Sequence, residues 1–204
     1  MTEAQPIRLG LLQYPVGRPA SIADFAARLD RWLEEGRASA DLLVLPEYAA
    51  VELGAALNGG EASEAAELSA MITAAPAILE VMRDAARRHQ VWLQPGTLPM
   101  RAADGHVVNR APLITPEGRI AFQEKRAMTR FETERWGISQ GIDPNVFDTP
   151  WGRIGISICY DIEFPKHARV QVMAGAWLIL APSCTDTLAG FNRVHFSARA
   201  RALE

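Results

Sequence analysis

The chain has 204 residues, of which 49% are hydrophobic and 22% are charged, and its formal net charge at pH 7 is −3. This composition is typical of a globular protein and excludes disordered, collagen-like and coiled-coil chains. The charge balance gives no support to nucleic-acid or anionic-membrane binding. The length predicts one domain over residues 1–204.

The cysteine content and the apolar runs indicate a reducing setting. The chain has two cysteines, Cys159 and Cys184, and its N-terminus lacks the basic segment and apolar stretch that direct secretion. The longest apolar run, near Ala174–Pro182, has the length of a strand and not the roughly 18 residues of a membrane span. We therefore expect a cytoplasmic protein that does not associate with membranes.

The first half of the chain alternates strands and helices. A strand is predicted over 7–13, and a capped helix with apolar residues at helical spacing follows over 21–36. The apolar run 41–47, which a proline interrupts, is typical of a strand buried on both faces. The alanine-rich stretch 61–90 predicts two helices, the second of which begins at Pro76. This order favours an α/β layered fold.

The second half adds antiparallel strands. After a strand at 91–94, the segments 107–115 and 119–124 flank a Pro-Glu-Gly turn and predict a hairpin. The remaining predicted elements are, in order, a strand, a helix and a strand: 152–159, 163–175 and 177–181.

Three predicted strands are followed by side chains that could carry chemistry. Glu47, Cys159 and the pair Ser183-Cys184 each come directly after an apolar strand. Open α/β sheets bind ligands outside the carboxyl ends of their strands, so a carboxylate and a thiol could face each other in one crevice. Taken singly, each has a simpler interpretation, because a cysteine in an apolar run is usually a core residue and a glutamate after Leu-Pro usually lies in solvent.

Three segments, in this order, resemble the signature segments of the nitrilase superfamily, the carbon–nitrogen hydrolases with a Glu-Lys-Cys triad. They are Leu45-Pro46-Glu47, Glu124-Lys125-Arg126 and Gly-Ile-Ser-Ile-Cys-Tyr-Asp-Ile-Glu-Phe-Pro at 155–165. The segment 182–190 looks most like an amidase-like branch that acts on small amides. The resemblance runs from about Ile7 to the end of the chain. It implies a four-layer αββα sandwich in one carbon–nitrogen hydrolase domain, and we expect this chain to lack the C-terminal elements of that sandwich.

The resemblance implies a role for each member of the triad. A thiol has a pKa of about 8.5, so a base must take its proton before it attacks a carbon at neutral pH. Glu47 would be that base and would later protonate the departing ammonia, while Cys159 would be the nucleophile. Lys125 would stabilise the oxyanion together with the backbone N–H of Tyr160.

The resemblance also points to residues around the triad. The resemblance implies a second glutamate after the lysine, for which Glu132 fits best and Glu134 is the alternative. Ser183 and Cys184 are expected to line the pocket. Position alone leaves other interpretations open: Lys125 could be a solvated charge on an edge strand, and the two glutamates could form exposed ion pairs with nearby arginines.

Several other chemistries lack the residues they need. The four histidines have neither the spacing of a papain-like dyad nor that of a zinc site, and Gly-rich phosphate loops are missing. We expect a hydrolase that cleaves a small carboxamide through a cysteine thioester and releases ammonia or an amine, with no cofactor or metal, as a homodimer or higher homo-oligomer. A silent nitrilase-like binding module, a nitrile hydrolase and a redox protein using a Cys159–Cys184 disulfide are the alternatives. The identity of the amide is left open.

Overall fold

The computed structural model describes residues 6–61 and 63–204, so residues 1–5 of the predicted domain and Ala62 of the predicted helical stretch lie outside the described residues. Within the described part, the chain forms nine strands and six α-helices. The strands are β1 Leu9–Leu11, β2 Leu42–Val44, β3 Trp92–Gln94, β4 Leu98–Arg101, β5 Val107–Ile114, β6 Ile120–Glu124, β7 Val146–Thr149, β8 Gly152–Ile156 and β9 Leu178–Leu180. The helices are α1 Ile22–Arg37, α2 Gly54–Leu57, α3 Glu64–His89, α4 Arg130–Glu134, α5 Pro165–Met173 and α6 Leu188–Leu203.

The strands form two sheets. In the first, β1, β2 and β3 are parallel, β5 pairs antiparallel with β3, β4 and β6, and β5–β6 is the predicted hairpin, with Ile114 opposite Ile120. In the second, β7 pairs antiparallel and β9 pairs parallel with β8. The parallel pairing of β1–β3 and of β8–β9 puts Glu47 and Cys159 beyond the carboxyl ends of β2 and β8, as the sequence predicts.

The alternation of side chains along β2 separates the layers. Leu43 packs with the apolar faces of α1 and α3, whereas Leu42 and Val44 face the second sheet and join Ile154 and Ile156 of β8 in one buried cluster. On the far side of the second sheet, α5 packs against β8, and its Gln171 donates from Nε2 to the Ile156 carbonyl at 2.9 Å. The predicted αββα sandwich is therefore confirmed.

The predicted break at Pro76 is wrong, because α3 runs unbroken from Glu64 to His89. Proline removes one helical hydrogen bond and costs roughly 3 kcal/mol inside a helix. Pro76 itself is exposed, while Met71, Ile78 and Met82 keep the opposite face of the helix buried. Burial of that face, at about 1.5–3 kcal/mol for each large side chain, outweighs the local cost.

The same helix is long and apolar enough to cross a membrane, if length and composition alone are considered. In this fold its buried face packs on α1 and on the first sheet as part of the core. Packing within the domain accounts for this buried face, while 28% of the most apolar 18-residue window of α3 is buried.

Candidate active site

Three of the residues predicted from the sequence meet in one buried cluster. Lys125, which follows β6, donates from Nζ to Glu47 Oε1 at 2.8 Å and to Glu132 Oε1 and Oε2 at 2.8 and 2.7 Å. Each of the three residues exposes 3% or less of its surface. The interpretation of Lys125 as a solvated edge-strand charge is therefore wrong, since its ammonium lies between two buried carboxylates.

Glu132 is held by the start of its own helix as well as by Lys125. Thr129 caps α4: its Oγ1 accepts from the Glu132 backbone N at 3.3 Å, and its own N and Oγ1 donate to Glu132 Oε2 at 3.0 and 2.9 Å. This reciprocal arrangement is the capping box of a Thr-x-x-Glu sequence. One carboxylate thus closes the first turn of α4 and binds the lysine at the same time.

Cys159 lies where the backbone turns away from β8. Its N–H donates to the Pro182 carbonyl at 2.9 Å, which extends the pairing of β8 with β9, and its φ of 48° is in the left-handed region. Non-glycine residues adopt this conformation at a cost, and such strain collects at functional sites. The thiol is buried, and its Sγ lies 3.6 Å from the Cys184 carbonyl oxygen, to which it donates.

Burial and charge set the protonation of these groups. Burial raises the pKa of Glu47 although the charge of Lys125 opposes it, and burial raises the pKa of Cys159 to about 12, with the charge of Glu47 adding to the effect. Burial alone would lower the pKa of Lys125, but the charges of Glu47 and Glu132 raise it overall. For Glu132, burial is outweighed by the charge and hydrogen bonds of Lys125, so its pKa is lowered. At neutral pH Lys125 and Glu132 are therefore charged, Cys159 is a thiol, and Glu47 is the carboxylate that most readily accepts a proton.

Asp161, which the sequence analysis did not single out, joins the segments around Lys125 and Cys159. Its fully buried carboxylate accepts from the backbone N of Arg126, Ala127 and Ile158 at 3.1, 2.7 and 3.1 Å. Arg126 follows the lysine and Ile158 precedes the cysteine. The carboxylate therefore fixes the distance between the two loops that carry the ammonium and the thiol.

Sequence reasoning also missed two side chains that bind the glutamates. Tyr48 donates from its hydroxyl to Glu132 Oε1 at 2.7 Å, and Asn109 donates from Nδ2 to Glu47 Oε1 at 3.0 Å and to Glu132 Oε1 at 3.3 Å. Signals for both were present. Tyr48 directly follows Glu47. Asn109 lies within a predicted apolar strand although asparagine is rare in strands, which is a sign of a specific role.

The remaining predicted residues lie apart from the three-residue cluster or at its edge. Glu134 does not join it, because its carboxylate pairs with Arg130 at 2.8 Å on the exposed side of α4. Tyr160 is half-buried beside an open groove of about 650 Å³. The Ser183 hydroxyl donates to the Ala181 carbonyl at 2.9 Å, and Cys184 is an exposed free thiol whose carbonyl receives the Cys159 S–H. In the described ranges, no three His, Cys, Asp or Glu side chains form a group that could hold a metal ion.

Comparisons with known proteins identify the family of the chain. The sequence model of the carbon–nitrogen hydrolase family matches residues 8–204. The probable hydrolase YhcX of Bacillus subtilis is 33% identical over 202 residues, which cover 98% of this chain and 39% of that protein. The deaminated glutathione amidase of Yersinia enterocolitica is 28% identical over 192 residues, which cover 89% of this chain and 64% of that protein.

The fold has a solved counterpart as well. The crystal structure of a carbon–nitrogen hydrolase from Helicobacter pylori G27 superposes with a TM-score of 0.77 at 22% identity, covering 96% of this chain and 68% of that one. The chain spans less than two thirds of the length of the Bacillus and Yersinia relatives, at 39% and 64%. The match of the family model over residues 8–204 establishes that the chain belongs to the carbon–nitrogen hydrolase family.

Proposed function

We propose that the protein is an amidase that hydrolyses a small carboxamide through a thioester on Cys159 and releases ammonia or an amine. The observation that carries the proposal is the charged Lys125 held between two buried carboxylates, next to a buried thiol at a strained strand end. The Yersinia relative, which is named an amidase, supports the same reaction class.

During acylation the proton of the thiol is transferred twice, first to Glu47 and then to the leaving nitrogen. As Cys159 Sγ bonds to the amide carbon, its proton passes to Glu47 and the carbonyl π electrons become an oxyanion beside the Lys125 ammonium and the Tyr160 backbone N–H. When the oxyanion collapses, the C–N bond breaks and Glu47 returns the proton to the leaving nitrogen. The raised pKa of Glu47 suits both transfers, because burial makes the carboxylate a stronger base than an ordinary glutamate and so a better proton acceptor from the thiol.

Deacylation repeats the sequence with water. Glu47 takes a proton from water, the oxygen attacks the thioester carbon, and the C–S bond breaks as Cys159 recovers the proton. We propose that Glu132, and not Glu134, is the supporting glutamate. Its hydrogen bonds from Lys125, Tyr48 and Thr129 hold it ionised, so it anchors the lysine and leaves the proton transfers to Glu47.

The test is ammonia release from a panel of simple aliphatic amides and monoamides of dicarboxylic acids, with one nitrile included, in the presence and absence of hydroxylamine. A thioester reacts with hydroxylamine, so we expect a hydroxamate to form at the expense of the free acid while ammonia release continues. Direct attack of water on the amide would give no hydroxamate, and that result would overturn the thioester. Ammonia release from no amide of the panel would overturn the amidase assignment itself.

The position of the acyl group can be assigned because the chain has two cysteines. In Cys184→Ala, Cys159 is the remaining thiol, so an acyl adduct in the intact mass of this variant lies on Cys159. An acyl adduct that forms on the Cys159→Ala variant but not on the Cys184→Ala variant would identify Cys184 as the nucleophile and contradict the assignment of Cys159.

The pH dependence of kcat/KM is expected to follow Glu47. The carboxylate must be ionised to act as a base, so activity falls as pH drops through its pKa. Because burial raises that pKa, the acidic limb should have its midpoint above the ordinary glutamate value of 4.5. Lys125 should stay charged beyond its ordinary value of 10.5, so it adds no alkaline limb below that pH. A midpoint at or below 4.5, measured as initial rates at low substrate concentration, would contradict the assignment of Glu47 as the base.

A further inference from the structure

A buried amide connects the two glutamates independently of the lysine. Asn109 on β5 is fully buried, and its Nδ2 lies 3.0 Å from Glu47 Oε1 and 3.3 Å from Glu132 Oε1. Lys125 Nζ donates to the same two oxygens at 2.8 Å each. Two donors, one charged and one neutral, therefore bridge the same pair of carboxylate oxygens.

The carboxylates dictate the orientation of this amide. With the opposite orientation, Oδ1 of Asn109 would face two carboxylate oxygens and be repelled by both. In the observed orientation, Oδ1 is buried and accepts no hydrogen bond from the described residues. An unsatisfied buried carbonyl is costly, and asparagine is a poor strand residue, so the N–H₂ side is what this position requires.

The donors are distributed unequally over the carboxylate oxygens. Both N–H donors that reach Glu47 from the described residues bind Oε1, so Oε2 is the oxygen left for the proton of the Cys159 thiol. Glu132, in contrast, receives donors on both oxygens, from Lys125 and Asn109 among others. The two glutamates thus differ in how much of each carboxylate is free to accept a proton.

We propose that Asn109 is a positioning residue, which clamps Glu47 Oε1 so that Oε2 carries the proton between the thiol, the leaving nitrogen and water. The inference rests on the proposed function, since it concerns the proton path of amide hydrolysis. Asn109 itself touches neither thiol nor substrate in this account. Its effect is exerted through the orientation and the acidity of Glu47.

The experiment compares Asn109→Leu and Asn109→Asp with a matched control, Gln171→Met. Gln171 is also a fully buried amide, and its three hydrogen bonds join the Ser157 hydroxyl and the Ile156 and Asn145 carbonyls, not the glutamates. Loss of the Asn109 donor removes a hydrogen bond from ionised Glu47, so its pKa rises. We expect the midpoint of the acidic limb in the pH profile of kcat to rise by about 0.5 to 1 pH unit in Asn109→Leu. It should rise further in Asn109→Asp, because this variant puts a third carboxylate beside Glu47 and Glu132.

The same variants separate a positioning role from a structural one. We expect kcat at pH 7 to fall about 10-fold or more while KM changes less than about 3-fold, because the clamp acts on proton transfer and not on substrate binding. Gln171→Met should lower the melting temperature without moving the limb. A limb that stays at its wild-type midpoint in a folded Asn109 variant would overturn the inference. Asn109→Asp keeps the side-chain shape, so it provides the measurement if Asn109→Leu does not fold.

A second measurement does not depend on amide hydrolysis. In a Cys184→Ala background, the rate of iodoacetamide alkylation reports the reactivity of Cys159 alone, and its acidic midpoint should shift upward in the Asn109 variants in the same way. If the wild-type chain hydrolyses amides but neither midpoint shifts, the inference about Asn109 is wrong and the proposed function stands. If no amide is hydrolysed, the proposed function is wrong. The alkylation midpoint then tests Asn109 by itself: an upward shift in the Asn109 variants supports its control of Glu47, and an unchanged midpoint contradicts it.

Discussion

Cys159→Ala is expected to lower kcat/KM for the best amide of the panel by about 10⁴-fold or more, because the variant has no atom that can form the acyl bond. The fold should survive. The side chain is small and buried at the edge of the inter-sheet cluster, so the free energy of unfolding should change by about 1 kcal/mol. Ammonia release, measured together with urea unfolding, checks both halves of this expectation.

Cys159→Ser is the companion variant, because it keeps a nucleophilic atom at the same strained position. A hydroxyl is far less acidic than a thiol, so Glu47 should be too weak a base to activate it, and we expect a loss of the same order as for alanine. Activity above about 1% of wild type in Cys159→Ala, in a sample with the wild-type unfolding curve, would contradict the assigned nucleophile.

Local patterns predicted the elements that place Glu47 and Cys159. The apolar runs before Glu47 and Cys159 end in buried strands, and each strand has a parallel neighbour in its own sheet. The N-cap Ser21, which accepts from Asp24 N at 3.1 Å, likewise follows from the residues next to it. Patterns of this kind are readable because each depends on a few neighbouring residues.

The choice between Glu132 and Glu134 could also have been read from the chain. Thr129 and Glu132 have the Thr-x-x-Glu spacing of a capping box, which turns the Glu132 side chain back to the start of α4. Residues two apart on a helix do not face the same side, so Glu134 points elsewhere and pairs with Arg130.

Long-range contacts were beyond prediction from the sequence. Asn109 meets Glu47 across 62 residues and Tyr48 meets Glu132 across 84, and no local pattern encodes either pairing. The unbroken course of α3 through Pro76 has the same origin, because the burial of its apolar face against α1 and the sheet overrides a local preference.

Replacing Lys125 with methionine should have the largest effect on stability. Methionine fills much of the same space but leaves Glu47 and Glu132 buried side by side without their shared cation. Removal of one partner of a buried ion pair costs about 3–5 kcal/mol. Activity should fall about 10³-fold or more as well, because the oxyanion loses its cation.

The penalty of Lys125→Met should depend on pH with a definite sign. Without the lysine, each buried carboxylate has a folded-state pKa above its unfolded value of about 4.3. A group of this kind stabilises the fold below the unfolded pKa and loses that contribution as pH rises through the folded pKa. The difference in free energy of unfolding between wild type and Lys125→Met should therefore be smaller at pH 5 than at pH 8, as measured by urea unfolding at both values.

The double variant Lys125→Met/Glu132→Gln distinguishes lost charge balance from lost packing. If the penalty comes from two unpaired carboxylates, neutralising one of them should recover part of the stability at pH 8, so the two substitutions should be non-additive. Amide hydrolysis should not return, because in the proposed mechanism Lys125 is also the cation beside the oxyanion. Equal destabilisation at pH 5 and pH 8, with additive effects in the double variant, would mean that Lys125 stabilises the fold by filling space and not by holding the two glutamates ionised.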